Sequence, residues 1–324
     1  MVGNPLIVKM INSTIDKAIR DLKDNPKKGL ESLVVLANRF ANNDFQKDLV
    51  ENLQAMLTSS NDAYYNMIPS LINHVNPHTI KTFLINMAYN SWSYGGKKIK
   101  QYQKVYHYPI PWTIIFDFTT RTPGLLDNDT VIRIIAQGKR IGIYTYMFFT
   151  DHIDNFSDIL RQNPDCAFIL YVSPTILTAD NLSMITSYHN TFFSVLYEPA
   201  VNMKAFINAT NLLYDNQCLF GSHCYYSNEN VEYILSNRWM NEIATVQSPF
   251  GILIESQNCT QENAAFIHDY INLSKTNQEH PIFLIDLYED ITKIDKQLSE
   301  MPCPFKIQSN EDVGNMTLRE ILSK

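Results

Sequence analysis

The feature that most constrains this chain is a change of hydrophobic period at Pro109. Before it, apolar residues recur at helical spacing. After it, short runs rich in β-branched and aromatic residues alternate with helical stretches. The runs are Thr113–Phe118, Ile143–Phe149, Ala167–Val172, Thr191–Leu196, Leu219–Tyr225, Phe250–Ile254 and Ile282–Leu287. They recur about every 25 to 30 residues, the length of one βα unit. Runs without polar alternation belong to strands buried on both faces, as in a parallel sheet. Six or seven βα units in a row predict an α/β fold with a full or partial (β/α) TIM-like barrel; the alternative is a doubly wound sheet.

Upstream, helices are predicted over Ile7–Leu22, Gly29–Phe40, Asp44–Leu57, Asp62–Val75 and Pro77–Tyr89. Polar turns such as Ser59-Ser60-Asn61 separate them. The expected organisation is therefore an α-helical N-terminal domain over 1–108, followed by the barrel over 109–324.

Composition excludes several classes. With 45% hydrophobic and 18% charged residues the chain has the apolar content to bury a large core and is not expected to be disordered. No apolar run approaches the ~18 residues of a membrane span, and the start lacks signal-peptide features, so a cytoplasmic protein is expected. Net charge is −7, and the tight basic pairs Lys27-Lys28 and Lys97-Lys98 do not grow into a phosphate-tracking patch; nucleic acid is not an expected partner. The five cysteines, Cys166, Cys218, Cys224, Cys259 and Cys303, are odd in number and scattered. They read as free thiols rather than a disulfide framework or a zinc set.

Barrel chemistry sits at the C-terminal ends of strands. At those positions stand Asp117, Asp151, His152, Ser173, Thr175, Glu198, His223, Tyr225, Glu255 and Asp286. Such carboxylates and imidazoles could bind a divalent metal or divide acid and base roles. The sharpest local piece is Asp151-His152-Ile153-Asp154, where Asp151, His152 and Asp154 are the candidate metal ligands. The bland alternatives are helix caps for the aspartates and an internal hydrogen bond for His223. No Gly-rich phosphate loop, His-Glu-x-x-His helix or Gly-x-Ser-x-Gly elbow is present. Tyr, Phe and Trp are abundant and mostly read as core. The Trp92–Tyr94 and Tyr102–Tyr108 stretches also suit an interface or a peptide groove.

Several segments resemble a bacterial radical S-adenosylmethionine (SAM) group with an N-terminal helical domain. Phe83–Trp92 with Gly95 is similar to its segment before the barrel, and Tyr108–Asp117 to its first strand. Ile134–Tyr146, Asp165–Phe168, Cys224–Asn230 and Met301–Phe305 are similar to later pieces in the same order. The resemblance implies a partial barrel of the radical SAM type. The departures are as telling. Where that family carries C-x3-C-x2-C, whose thiolates hold a [4Fe–4S] cluster, this chain runs Asp117-Phe-Thr-Thr-Arg-Thr-Pro-Gly-Leu-Leu-Asp127 without a cysteine. Where the family places Gly-Gly-Glu against SAM stands Phe149-Thr-Asp-His-Ile-Asp154. The region before Met301 is also short, so an auxiliary cluster is not expected either.

The implied protein is thus a degenerate member: a pseudoenzyme with neither [4Fe–4S] cluster nor SAM. It would act as a binding, regulatory or accessory subunit for a protein partner, a peptide-like ligand or a small molecule, with an intact radical SAM enzyme as one expected partner. Replacement metal-dependent chemistry at the barrel mouth and cluster-free SAM binding are the alternatives.

Overall fold

The structure is a computed structural model and describes residues 2, 5–40, 63–119, 126–154, 156–198, 202–308, 313–314 and 316–323. The helix expected over 44–57 lies outside them. Eight strands form one parallel sheet: β1 (Thr113–Asp117), β2 (Thr145–Thr150), β3 (Ala167–Val172), β4 (Thr191–Leu196), β5 (Leu219–Tyr226), β6 (Phe250–Glu255), β7 (Phe283–Asp286) and β8 (Phe305–Gln308). Their order is β7-β6-β5-β4-β3-β2-β1-β8, every pairing parallel. Seven match the sequence-predicted runs to within two residues. The eighth was not anticipated.

Sequential order with right-handed crossovers puts all connecting helices on one face of the sheet. The other face is also buried, most completely along β1 to β5, so the sheet curls to pack it inward. β7 and β8 are its two edges and are not hydrogen-bonded to each other. The result is a partial TIM-like β/α barrel with an open seam, the α/β class expected.

Local rules account for the helices between strands. The helix Asn128–Ile141 is capped by Asp127, whose carboxylate accepts from Thr130 N at 2.8 Å, and it ends at Gly142 with φ 111°. Only glycine takes that left-handed turn at little cost. Gly95 packs face to face with it: a Cβ there would meet the Gly142 carbonyl at 2.3 Å. Asn202, Thr260 and Asp286 cap later helices in the same manner as Asp127. Arg133 holds the C-terminal segment by donating to the carbonyls of Val313, Gly314 and Met316.

The N-terminal helices Pro5–Asp24, Pro26–Phe40, Ala63–His74 and Pro77–Leu84 lead into an 11-residue π-helix, Ile85–Gly95, and then the helix Gly96–Tyr106. This region closes the barrel floor, the end where the strands begin. Asn86 Nδ2 donates to the carbonyls of Pro164 and Cys166 (3.0 and 2.8 Å), and Asn90 Nδ2 to those of Asn86's side chain and Asp165 (both 2.9 Å). Thr145 Oγ1 donates to Ser91 Oγ at 2.9 Å, and Phe83 packs on Phe192. Among the described residues, no helix is long and apolar enough to cross a membrane.

Candidate functional site

Register decides which strand-end residues face the lumen. Side chains alternate between faces along a strand, and paired residues in neighbouring strands share a face. Tyr146 meets Gly138 of a connecting helix, so its parity points outward. The opposite parity carries Asp117, Phe149, Tyr171, Ser194, His223, Tyr225 and Lys306 inward. Of the sequence-predicted site residues, Asp117, His223 and Tyr225 therefore converge, and Glu198 joins them by accepting from Tyr225 N at 3.2 Å.

The inward groups form a continuous belt around the mouth. Lys306 Nζ pairs with Asp117 Oδ2 at 2.7 Å and lies 5.7 Å from the Phe149 ring centroid. Phe149 stacks on Tyr171 with centroids 4.5 Å apart. Tyr171 meets His223 edge-on, and His223 meets Tyr225 in the same way. His223 Nδ1 bonds Ser194 Oγ at 3.0 Å. Tyr288, just after β7, faces Lys306, Asp117 and Glu255 electrostatically.

Electrostatics follow from this packing. Burial pushes Asp117 up, but the Lys306 ammonium and the Thr119 hydroxyl and amide outweigh it and hold the carboxyl below its usual range. His223 is 2% exposed, and burial drives its pKa down to about 3, so the ring is neutral with one nitrogen committed to Ser194. Burial raises the phenols of Tyr171, Tyr225 and Tyr288, which stay protonated. The belt thus offers hydroxyl donors, aromatic faces and one neutralised ion pair. Among the described residues of the belt, no activated nucleophile stands beside a free base.

The remaining strand-end residues go elsewhere. Asp286 has outward parity: it accepts from Glu289 N as a helix cap and pairs with His268 Nε2 at 3.0 Å, with Tyr226 OH at 3.2 Å. Glu255 is exposed with the same outward parity. Asp151 and His152 form an exposed pair, Oδ1 to Nδ1 at 2.8 Å, and Asp154 is exposed nearby. Ser173 starts the short turn Pro174–Ile176 with its hydroxyl 3.0 Å from that of Thr175. Among the described residues, no three His, Cys, Asp or Glu side chains stand together as a metal set. All five cysteines are free, and Cys166, Cys218 and Cys224 are buried.

Lys306, Tyr171, Ser194, Phe149 and Tyr288 escaped the sequence reading. Phe149 is itself the end of a predicted run and Tyr171 lies one residue before the end of another, so only the parity was missing. Lys306 required knowing that a four-residue strand pairs with β1.

Two cavities lie at the floor, away from this belt. One, about 230 Å3 and mainly apolar, lies between Met67, Leu71 and His74 and the barrel residues Tyr214, Phe220 and Ile282. The other, about 200 Å3, is lined by polar and apolar residues alike and lies between Asn76 and Thr79 and the barrel residues His189, Phe193 and Leu219.

The fold and belt define a partial β/α barrel with an aromatic, ion-paired mouth. The chain matches no family model and no curated protein. Among solved structures it is similar to Streptococcus suis SuiB, at 8% identity over 59% of this chain and 53% of that one (TM-score 0.44). SuiB bound to S-adenosylmethionine gives 10% over 65% and 61% (TM-score 0.48), and SuiB bound to precursor peptide SuiA gives 10% over 66% and 61% (TM-score 0.46). The chain spans about three-fifths of SuiB's length or less.

Proposed function

We propose that this chain is a radical-SAM-like pseudoenzyme whose barrel mouth binds a ligand without assembling a cluster. The observation that carries the reading is the fate of the β1 end. The segment from Asp117 to Asp127 has no cysteine, and Asp117 itself is tied to Lys306 across β8. A [4Fe–4S] cluster needs soft thiolates converging on one point. The cysteines present do not fit it. Cys166, Cys218 and Cys224 are buried, and burial holds their thiols protonated, Cys218 at about 12. No chemistry through a cluster is therefore derived for this chain.

The belt of Tyr171, Tyr225, Phe149 and Lys306 suits a peptide-like or small amphipathic molecule, since phenols and aromatic faces hold such groups at low entropic cost. The role is that of a binding or accessory subunit, with an intact radical SAM enzyme as the partner to test first. Anaerobic reconstitution with iron and sulfide, followed by iron quantitation, a visible spectrum and SAM titration, tests the reading. The expected result is substoichiometric iron and no saturable SAM binding. Stoichiometric iron with thiolate-to-iron absorption would overturn it. Saturable SAM binding without iron would replace it by a cluster-free SAM-binding protein. Stoichiometric zinc or manganese, lost in His152→Ala, would replace it by metal-dependent chemistry.

A further inference from the structure

Three phenols of the mouth meet around one spot. Besides burial, it is Tyr288 and Tyr225 that raise the Tyr171 phenol, and Tyr288 that raises the Tyr225 phenol, so the three hydroxyls lie within electrostatic reach of one another. None of them has a hydrogen-bond partner among the described residues. Tyr171 is only 3% exposed, and that remaining surface includes its hydroxyl, which is unpaired but not sealed. A buried donor and acceptor left open toward the lumen favours a ligand that pairs with it.

The charge around this spot is negative. Asp117 and Glu198 bear on the Tyr225 phenol, Asp117 and Glu255 bear on that of Tyr288, and Lys306 opposes them. The basic groups nearby are committed, Lys306 to Asp117 and His152 to Asp151. Glu198 is half-buried, accepts from the Tyr225 amide, and pairs with no lysine, arginine or histidine among the described residues. A carboxylate partly withdrawn from water and without a counter-ion attracts a cation. An inorganic ion would find no set of three ligating side chains among the described residues. The walls are aromatic instead, which suits an organic cation. Lys306 shows the mode of reception, its ammonium 2.7 Å from Asp117 Oδ2 and 5.7 Å from the Phe149 ring centroid.

We propose that the mouth binds an organic cation bearing a primary ammonium group, received between the Glu198 carboxylate and the hydroxyls of Tyr171, Tyr225 and Tyr288. The inference rests on the reading of the mouth as a ligand site and narrows its ligand. An ammonium brings three donors, and the phenol oxygens and the free Glu198 oxygen accept them. Tyr225, Tyr288 and Glu198 are only half-buried, so the group enters from solvent. A free amine and a peptide-borne one share this head.

The test is calorimetric titration and thermal unfolding of the full chain. The probes are pentylamine and cadaverine as free amines and N-acetyl-lysine amide as a peptide-borne one, with 1-pentanol and pentanoate as neutral and anionic counterparts. At least one amine is expected to bind saturably and raise the unfolding midpoint, with 1-pentanol and pentanoate at least about tenfold weaker. Tighter binding of the free amines points to a small molecule, and of N-acetyl-lysine amide to a peptide; either order supports the site. Glu198→Gln keeps an acceptor for the Tyr225 amide and is expected to weaken binding about tenfold. Tyr171→Phe removes only an unpaired hydroxyl and is expected to weaken it about fivefold with the ligand-free midpoint unchanged. The proposal is overturned if no amine binds, if pentanoate binds in their stead, or if both variants bind like the wild-type chain. Equal binding of 1-pentanol and pentylamine overturns the cation alone and leaves a ligand-binding mouth. Stoichiometric iron on reconstitution overturns the pseudoenzyme reading instead, and amine binding by that same chain would keep this inference.

Discussion

The two ends of the barrel solve the same problem with different chemistry. At the floor, most buried polar groups are neutral, and side-chain amides pair several of them: Asn86 and Asn90 reach the carbonyls of Pro164, Asp165 and Cys166, and Gln103 reaches Ser299. At the mouth, the polar groups are titratable and are satisfied by one another, Asp117 by Lys306 and His223 by Ser194. Amide bonds of this kind do not respond to pH or salt, whereas the mouth's interactions do. The floor is thus a structural joint, and the mouth is where the chain has kept groups that a ligand could rearrange.

The largest effect expected from the comparison is at the floor. Asn86→Ala removes two donors and the acceptor of Asn90 Nδ2 in a region where both residues are buried. Leaving two buried groups and the part-buried Pro164 carbonyl unpaired costs about 4 kcal/mol at 1–3 kcal/mol each with partial relaxation. Urea unfolding with an unchanged slope should show it; a loss under about 1 kcal/mol would mean the π-helix is not the joint described here.

Besides the half-buried Lys139–Asp165 pair, one fully buried floor group breaks the neutral pattern and sharpens the contrast. Asp295 is fully buried; its oxygens accept from Trp112 N and Cys303 N, the chain just before β1 and β8. Burial outweighs those donors and raises its pKa to about 6 from 3.8. Below about pH 4 both folded and unfolded chains carry the proton. Between pH 4 and 6 the unfolded chain ionises while the folded one holds its proton, so this group's contribution falls by about 3 kcal/mol as pH rises. Asp295→Asn should abolish that slope in stability measured across the window.

His223 acts in the opposite sense. Its folded pKa of about 3 lies below its ordinary 6.5, so the unfolded chain takes up the proton first as pH falls. Stability from this group is complete above pH 6.5 and drops by about 2 kcal/mol by pH 5. His223→Gln, which keeps a partner for Ser194, should flatten the acid limb. If both single variants leave the pH profile unchanged, floor and mouth are not electrostatically distinct.

How much of this was legible in the sequence follows from the same contrast. Seven strands announced themselves as continuous apolar runs, because a strand buried on both faces leaves no other pattern. Phe305–Gln308 did not: it is four residues long, preceded by Pro302 and Pro304, and carries Lys306 and Gln308 at alternate positions. Of the π-helix Ile85–Gly95, only the part up to Tyr89 was legible as helix, and its π character was not legible at all. At the mouth, strand ends were found but parity was not. Asp286 and Asp117 both end a strand, and one residue of register sends one to a helix cap and the other to the lumen. The lysine that neutralises Asp117 comes from the far end of the chain, and no local pattern encodes that pairing.

The smallest effect expected is also the one that bears most directly on the mouth. Lys306→Met keeps an unbranched side chain beside Phe149 and removes the charge that pairs with Asp117. The Lys306 side chain is 35% exposed, so solvent screens the pair and the loss should be about 1 kcal/mol. Asp117 is held below its ordinary pKa, so its stabilisation is present above the carboxylate range and lost as pH falls below about 4. Without Lys306 the carboxyl moves back toward its ordinary value, and that acid-side loss shrinks to what Thr119 maintains. Raising NaCl from about 0.1 to 1 M shortens the screening length from roughly 10 to 3 Å. It should therefore weaken the wild-type chain slightly more than Lys306→Met, which keeps the other ion pairs but lacks this one. An Asn86→Ala chain, in contrast, should keep the wild-type salt response despite its larger loss, because its missing bonds carry no charge.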